Sequence, residues 1–336
     1  MTALVIRSAQ DAISAVPYLL GFHPSRSLVV IGYDGPHGTC AVRLDLPVPA
    51  GAGERVAGLL SGNGFRKALL LGYGPADEVE GSAGSTAAAL TAAGLDVLES
   101  VRVCDGRWWS LTCTDACCPA EGTPYDISSS LIAAQATLAG HVALADRDEL
   151  VRSVQPVEGL ARESMRRATE RAERRFLRWA REPGPRFRSR TTEEGLDHVP
   201  RVLARAREGT RPTDDDVARL GFLLTDLRVR DEAWIRIDED APAADISFWR
   251  DVLRRVEPHY VPAPASLLAF AAYSAGDGGL ANVALERALE ADPAYSMAVL
   301  LRSLIDAGIP PAQARIGMTP GQLAAAYHDE PTQEAS

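Results

Sequence analysis

Short apolar runs separated by turn residues fill the first ~150 residues, and longer segments with a helical apolar period fill the rest. Residues 4–7 (LVIR) read as a short strand. Ser8, with Asp11 three residues on, forms an acidic variant of the capping box and starts a helix. That helix runs through PYLL and stops at Gly21, with Pro24 just beyond. Residues 28–33 form an apolar strand, and the turn DGPHG reverses the chain. Residues 39–46 then alternate, with Val42, Leu44 and Leu46 on one side and Ala41, Arg43 and Asp45 on the other, as in a half-buried strand. A helix is expected over 53–62, a buried strand over 67–73 (KALLLGY), and a helix over STAAALTAAG ending at Gly94. Segments 96–104 and 107–113 make a second hairpin around Asp105 and Gly106, and 127–145 makes an apolar helix that packs on the sheet. Strands alternating with helices predict α/β, and the two hairpins make the sheet mixed.

From about residue 150 only helical patterns follow. Segment 158–181 is arginine-rich, 182–190 (EPGPRFRSR) is a break, and helices are expected near 191–208, 214–228 and 245–257. VPAPAS at 261–266 marks another boundary. Over 262–295, Leu268, Gly276, Ala281, Leu285, Ala288 and Pro293 fall at the spacings a tetratricopeptide-like unit favours. No second copy exists, so the unit is expected to cap the helical domain. The predicted organisation is an α/β domain at 1–150, an arginine-rich helical connector at 151–210, a helical domain at 211–328 and a disordered tail at 329–336. The fold class is α/β, a mixed sheet with helices packed on it, followed by an all-α domain.

Composition narrows the function classes. At 336 residues two domains are expected, and 46% hydrophobic content supports a proper core. The net charge of −10 disfavours attraction to nucleic acid or to an anionic membrane. MTALVIRSAQD lacks the pattern of a signal peptide, and no run of 18 apolar residues exists, so a cytoplasmic protein with no membrane partner is expected. Five cysteines in such a chain do not read as a disulfide framework. Lys67 is the single lysine, which reflects compositional bias rather than function.

The run VPYLLGFHPSRSLVVIGYDG, then RLDLP, then CTDACCPAEG, resembles the actinobacterial family catalogued as domain of unknown function 4192. The similarity covers most of the chain apart from the tail. The resemblance implies an uncharacterised family and carries no catalytic assignment.

Four features could carry chemistry. In the first hairpin, Ser27 should pair with Asp45 and Val29 with Arg43, with His23 on the same edge. Imidazole beside carboxylate can orient a general base, which makes His23, Ser27 and Asp45 catalytic candidates, and Arg26 or Arg43 can bind an anion. The competing reading is a structural network, with His23 at a helix C-terminus. If residues 28–33 run parallel to residues 4–7, this edge is the amino end of the central strands, away from the usual ligand side, and the structural reading is favoured. The second feature is Cys113, Cys117 and Cys118, for which buried structural thiols rank first, zinc second and a redox or nucleophilic role third. A zinc site would need Cys104 or His141 to complete it, and zinc ranks below no metal.

The third is the arginine-rich stretch, with 15 arginines against 9 acids between Arg152 and Glu208. Glu163–Arg167 and Glu170–Arg174 have the spacing of a solvated helix, which outweighs nucleic-acid binding. The fourth is GYGPADEVEGSAGST, which lacks the P-loop and dinucleotide fingerprints but would put Gly72, Gly74, Ser82, Ser85 and Thr86 at a strand end and a helix amino end, where amides can hold an anion. A plain surface loop is the simpler reading there. No nucleophile elbow, HExxH or kinase set is present. The expected function is a non-catalytic cytoplasmic scaffold that binds a small anionic ligand or a protein partner. The alternatives are an enzyme using His23 and Asp45 or the cysteine loop, and nucleic-acid association.

Overall fold

The computed structural model describes residue 6 and residues 8–36, 38–113, 118–127, 130–138, 142–182 and 187–329. The expected strand at 4–7 and the expected tail beyond Asp329 lie outside these residues, apart from Ile6, which is in no regular element. The chain forms two compact units, Met1–Leu150 with Ile305–Pro310, and Val151–Leu304 with Pro311–Ser336.

The first unit begins with α1 (Ala9–Leu20), β1 (Ser27–Gly35), β2 (Gly38–Asp45), α2 (Ala52–Gly62), β3 (Lys67–Tyr73) and α3 (Ala76–Ala92). It continues with β4 (Asp96–Cys104), β5 (Arg107–Ser110), β6 (Thr123–Pro124) and α4 (Leu131–Leu138), and α5 (Arg147–Arg152) follows. Ser8 caps α1 by accepting from the Asp11 amide at 3.1 Å, and Gly21 closes it at φ 80°. The six strands form one mixed sheet in the order β2-β1-β3-β4-β5-β6. Only β3 and β4 run parallel; β1 is antiparallel to both β2 and β3. Asp105 (φ 48°) and Gly106 (φ 73°) make the tight β4–β5 turn, a pair of left-handed residues suited to the strand twist.

Alternation along the strands builds both faces. Leu28 and Val30 of β1 and Ala68 and Leu70 of β3 pack with Val56, Leu60, Val79 and Leu90 from α2 and α3. Val29, Ile31 and Leu71 are buried on the opposite side, where α1 lies over β3 and β4. The apolar helix expected over 127–145 is described only as α4.

The second unit is helical: α6 (Gly159–Arg181), α7 (Phe187–Arg207), α8 (Asp214–Leu223), α9 (Leu227–Trp234) and α10 (Ala243–Arg255). Then come α11 (Pro262–Ser274), α12 (Gly278–Ala291), α13 (Ser296–Asp306) and α14 (Pro320–Asp329). The single helix expected over 214–228 is two, because the Asp226 side chain accepts from the Arg228 amide at 2.8 Å and caps a new start. Every residue of α11 from Pro262 to Tyr273 is buried, so it is the central helix of this unit. Phe176 of α6 stacks on Phe222 of α8 at 4.0 Å between ring centroids.

His198 of α7 is 3% exposed, with Nε2 against the Asp216 carbonyl at 3.3 Å. Burial pushes its pKa below the ordinary value of 6.5; the Asp216 carbonyl opposes this and Arg201 and Arg205 add to it. The folded state therefore holds a neutral ring while the unfolded chain takes up a proton near the ordinary value. Stability from this site is complete above that value and falls as the pH drops through it toward the lower folded pKa. Thermal unfolding of the wild type should thus lose more between about pH 7 and about pH 5 than that of His198→Gln. Parallel curves for the two proteins would refute the assignment.

Candidate functional site

Strand direction brings two of the sequence candidates together. Because β1 runs antiparallel to β3, Ser27 at its start pairs with Tyr73 at the end of β3. The His23–Ser27 edge is therefore the carboxyl end of the parallel pair β3 and β4, not the amino end. The expectation of an amino-end position rested on a parallel neighbour at 4–7; the described neighbours of β1 are both antiparallel to it. Along this edge one row crosses all six strands: Asp45, Ser27, Tyr73, Val103, Trp108 and Thr123.

Within the hairpin the register is the one expected, Ser27 with Asp45 and Val29 with Arg43, and the irregularity lies between Gly32 and Gly35 near the turn. Ser27 is fully buried. Its hydroxyl donates to the Ser25 carbonyl at 2.6 Å and accepts from Arg43 Nε at 2.8 Å. Arg43 Nη2 donates to Asp45 Oδ1 at 2.5 Å, and its guanidinium lies 5.8 Å from the Phe22 ring centroid. Asp45 is thus committed to Arg43. The His23 ring makes no hydrogen bond to a described residue, so the orienting His23–Asp45 pair is not formed. The His23 amide donates to the Leu144 carbonyl at 2.9 Å and the Leu144 amide to the Gly21 carbonyl at 2.9 Å, which pins the α1–β1 connection by its backbone.

Arg26, in a left-handed conformation at φ 40°, turns onto α3. Its Nε and Nη2 donate to the two carboxylate oxygens of Glu78 at 3.1 and 2.7 Å. Asp77 and Glu78 occupy the first turn of α3, so a free anion there would meet like charge.

The glycine-loop expectations need correction. The helix starts at Ala76, which places Ser82, Ser85 and Thr86 in its body rather than at its amino end. Ser82 Oγ accepts from the Val48 amide, Ser85 Oγ donates to the Ser82 carbonyl, and Thr86 is buried against Gly53. Gly72 is a packing position: a Cβ there would lie 2.2 Å from Val79 Cγ1. Gly74 follows it with its amide donating to the Val103 carbonyl at 3.0 Å.

Sequence reasoning missed Tyr73 and Trp108. The Tyr73 hydroxyl and Trp108 Nε1 are both buried without a hydrogen-bond partner among the described residues. Burial pushes the Tyr73 pKa well above its ordinary value, with Tyr125 close by. The aromatic end of KALLLGY was the available signal, but it reads equally as the last core residue of a strand. A cavity of about 210 Å³ lies under the start of α1, lined by leucines with Ser8 and Glu99. Both polar groups are engaged, Ser8 with the Asp11 amide and Glu99 with Ser110 and Thr112.

Of the cysteine loop, Cys117 lies outside the described residues, as does His141. Cys113 and Cys118 are half-buried. Among the described residues no three His, Cys, Asp or Glu side chains are grouped to hold a metal. The Cys104 thiol is 3.4 Å from Asp105 Oδ2, and burial and that carboxylate push its pKa up; burial alone does so at Cys40.

Acids take up much of the arginine-rich charge. Arg166 and Arg167 meet Glu163, Arg171 meets Asp215, and Arg174 meets Glu170. Arg175 and Arg219 converge on Glu194. No helix among the described residues is long and apolar enough to cross a membrane.

No curated protein and no solved structure matches this chain. A family model, described as a domain of unknown function (DUF4192), matches residues 10–312, and the segments GFHPSRS, RLDLP and most of both units fall inside that span. The chain belongs to the DUF4192 family.

Proposed function

We propose that the chain is a cytoplasmic, non-catalytic scaffold that holds a protein partner through its α/β unit. The observation that carries this reading is the closure of the carboxyl edge. Ser27 is held between Ser25 and Arg43, Asp45 by Arg43, and Arg26 by Glu78, so the groups that could act as nucleophile or anion clamp serve one another, and the His23 ring is left without the carboxylate that would orient it as a base. A small anion as ligand is disfavoured by the same bonds, since both arginines already face carboxylates.

A protein partner is supported by α4. It buries Ile132, Ala133 and Ala136 but leaves Leu131 at 71% and Leu138 at 91% exposure, and Val142 beyond it at 70%. Leucines at i and i+7 on one exposed stripe suit a partner's apolar surface. In the helical unit, α11 and α12 are read as a single tetratricopeptide-like hairpin. With α11 wholly buried, this hairpin closes a core and presents no peptide groove.

Photo-crosslinking from position 138 in the native host tests the proposal. A discrete adduct is expected that disappears in Leu131→Glu and persists in His23→Ala. Ser27→Ala should cost about 1–3 kcal/mol of stability, because it unpairs a buried network, and should leave the adduct intact. An adduct lost in His23→Ala with unchanged thermal stability would move the function to the His23 edge and overturn the reading.

A further inference from the structure

The two margins of the sheet are built differently. At one end β6 is a two-residue strand ending at Pro124, a short, proline-stopped edge of the kind that resists further pairing. At the other end β2 is eight residues long and, among the described residues, bonded on one side only, to β1. Among the described residues no backbone group of 38–45 bonds outside that ladder. The strand contains no proline and no lysine, and its two charges, Arg43 and Asp45, are tied to each other. On the side facing α2 and α3 it carries Cys40, Val42 and Leu44, which are half-buried against the core and form its unfinished fringe.

We propose that β2 pairs antiparallel with β2 of a second copy of this chain about a two-fold axis perpendicular to the sheet, so that the two sheets become one. Such an axis keeps the core faces of both copies on the same side. The sequence of the strand selects the register. Centring on Val42 sets Val42 against its own mate, Cys40 against Leu44 of the second copy, Ala41 against Arg43 and Thr39 against Asp45. Apolar then meets apolar on the core face, and no charge meets its like. Centring on Arg43 would place two guanidinium groups opposite each other, which cross-strand pairing disfavours. Centring on Ala41 would set Leu44 against Gly38 and leave the leucine uncovered. The fringe is thus self-complementary in one register.

Sedimentation velocity of the full chain should give twice the chain mass, with dissociation on dilution. In a Cys40→Ser background, Val42→Cys should form a covalent dimer under mild oxidation, since that position meets itself across the axis. Ala41→Glu faces Arg43 of the second copy and should tighten the dimer roughly fivefold, while Ala41→Lys should weaken it by a similar factor. Circular dichroism of each variant checks that the fold is kept. A single-chain mass at every concentration would overturn the proposal, whatever else then bound the edge. A dimer with no Val42→Cys crosslink and no response to the Ala41 pair would place the interface elsewhere and overturn it as well.

Discussion

Gly72→Ala should destabilise the α/β unit by about 2 kcal/mol or more, a large effect for one added methyl. The new Cβ would lie 2.2 Å from Val79 Cγ1 and 3.2 Å from both Cβ and Cγ2, inside the packing of α3 on β3. Val79 is fully buried and belongs to the main cluster of this unit, so it has nowhere to retreat without moving the helix. Urea unfolding of a cycle with Val79→Ala isolates the cause. Val79→Ala alone should cost stability by opening a cavity, and the double variant should lose well less than the sum of the two single losses, because the truncated side chain no longer meets the new methyl. Additive losses would mean that the clash is not the mechanism. A glycine that served an anion instead would leave stability nearly untouched in Gly72→Ala.

The second large effect is expected in the helical unit at Asp245. This carboxylate is 1% exposed, accepts from Arg207 Nη2 at 2.9 Å on each oxygen, and also takes the Asp238 amide at 2.8 Å. Asp245→Ala removes the partner of a guanidinium and of an amide together, at a cost of about 3 kcal/mol. The Arg207 side chain is 40% exposed and recovers some hydration, which holds the figure to the low end of the range for broken buried pairs. Asp245→Asn keeps an acceptor for the Asp238 amide and should fall between. Arg171→Ala, which breaks a pair exposed on both sides, should change stability by less than about 0.5 kcal/mol. Equal losses at the two sites in urea unfolding would contradict this ranking.

The elements that could be read from sequence are those fixed by near neighbours. The Ser8 cap, Gly21 and the Asp105–Gly106 turn each act within a few residues, and all formed as expected. The hairpin register was legible for the same reason, since the alternation at 39–46 leaves one way to bury Val42 and Leu44. The direction of β1 relative to β3 was not legible, because it is set by contacts more than thirty residues apart that no local pattern encodes. That one unread fact put the His23 edge at the wrong end of the sheet.

The start of α3 was hidden by Gly81 and Gly84, each costing about 1 kcal/mol of helix propensity. Burial of Val79 and Ala83 overrides that cost and extends the helix back to Ala76. Ser85 and Thr86 moved from a helix end to a helix body as a result. The candidate edge was therefore legible in its members and not in its bonding. The Arg26–Glu78 pair joins positions that looked like separate sites, and the orphaned Tyr73 hydroxyl looked like one more core residue.

Burial on every side of α11 gives the helical unit an internal clock. Amide protons in the last turns of this helix can reach solvent only when α9, α10 and α12 all release it, since no exposed face allows a local opening. Their hydrogen-exchange rates in the native protein therefore report the global opening of the second unit alone. Read beside the amides of β3, they separate the unfolding free energies of the two units in one intact chain, with no need to cut it.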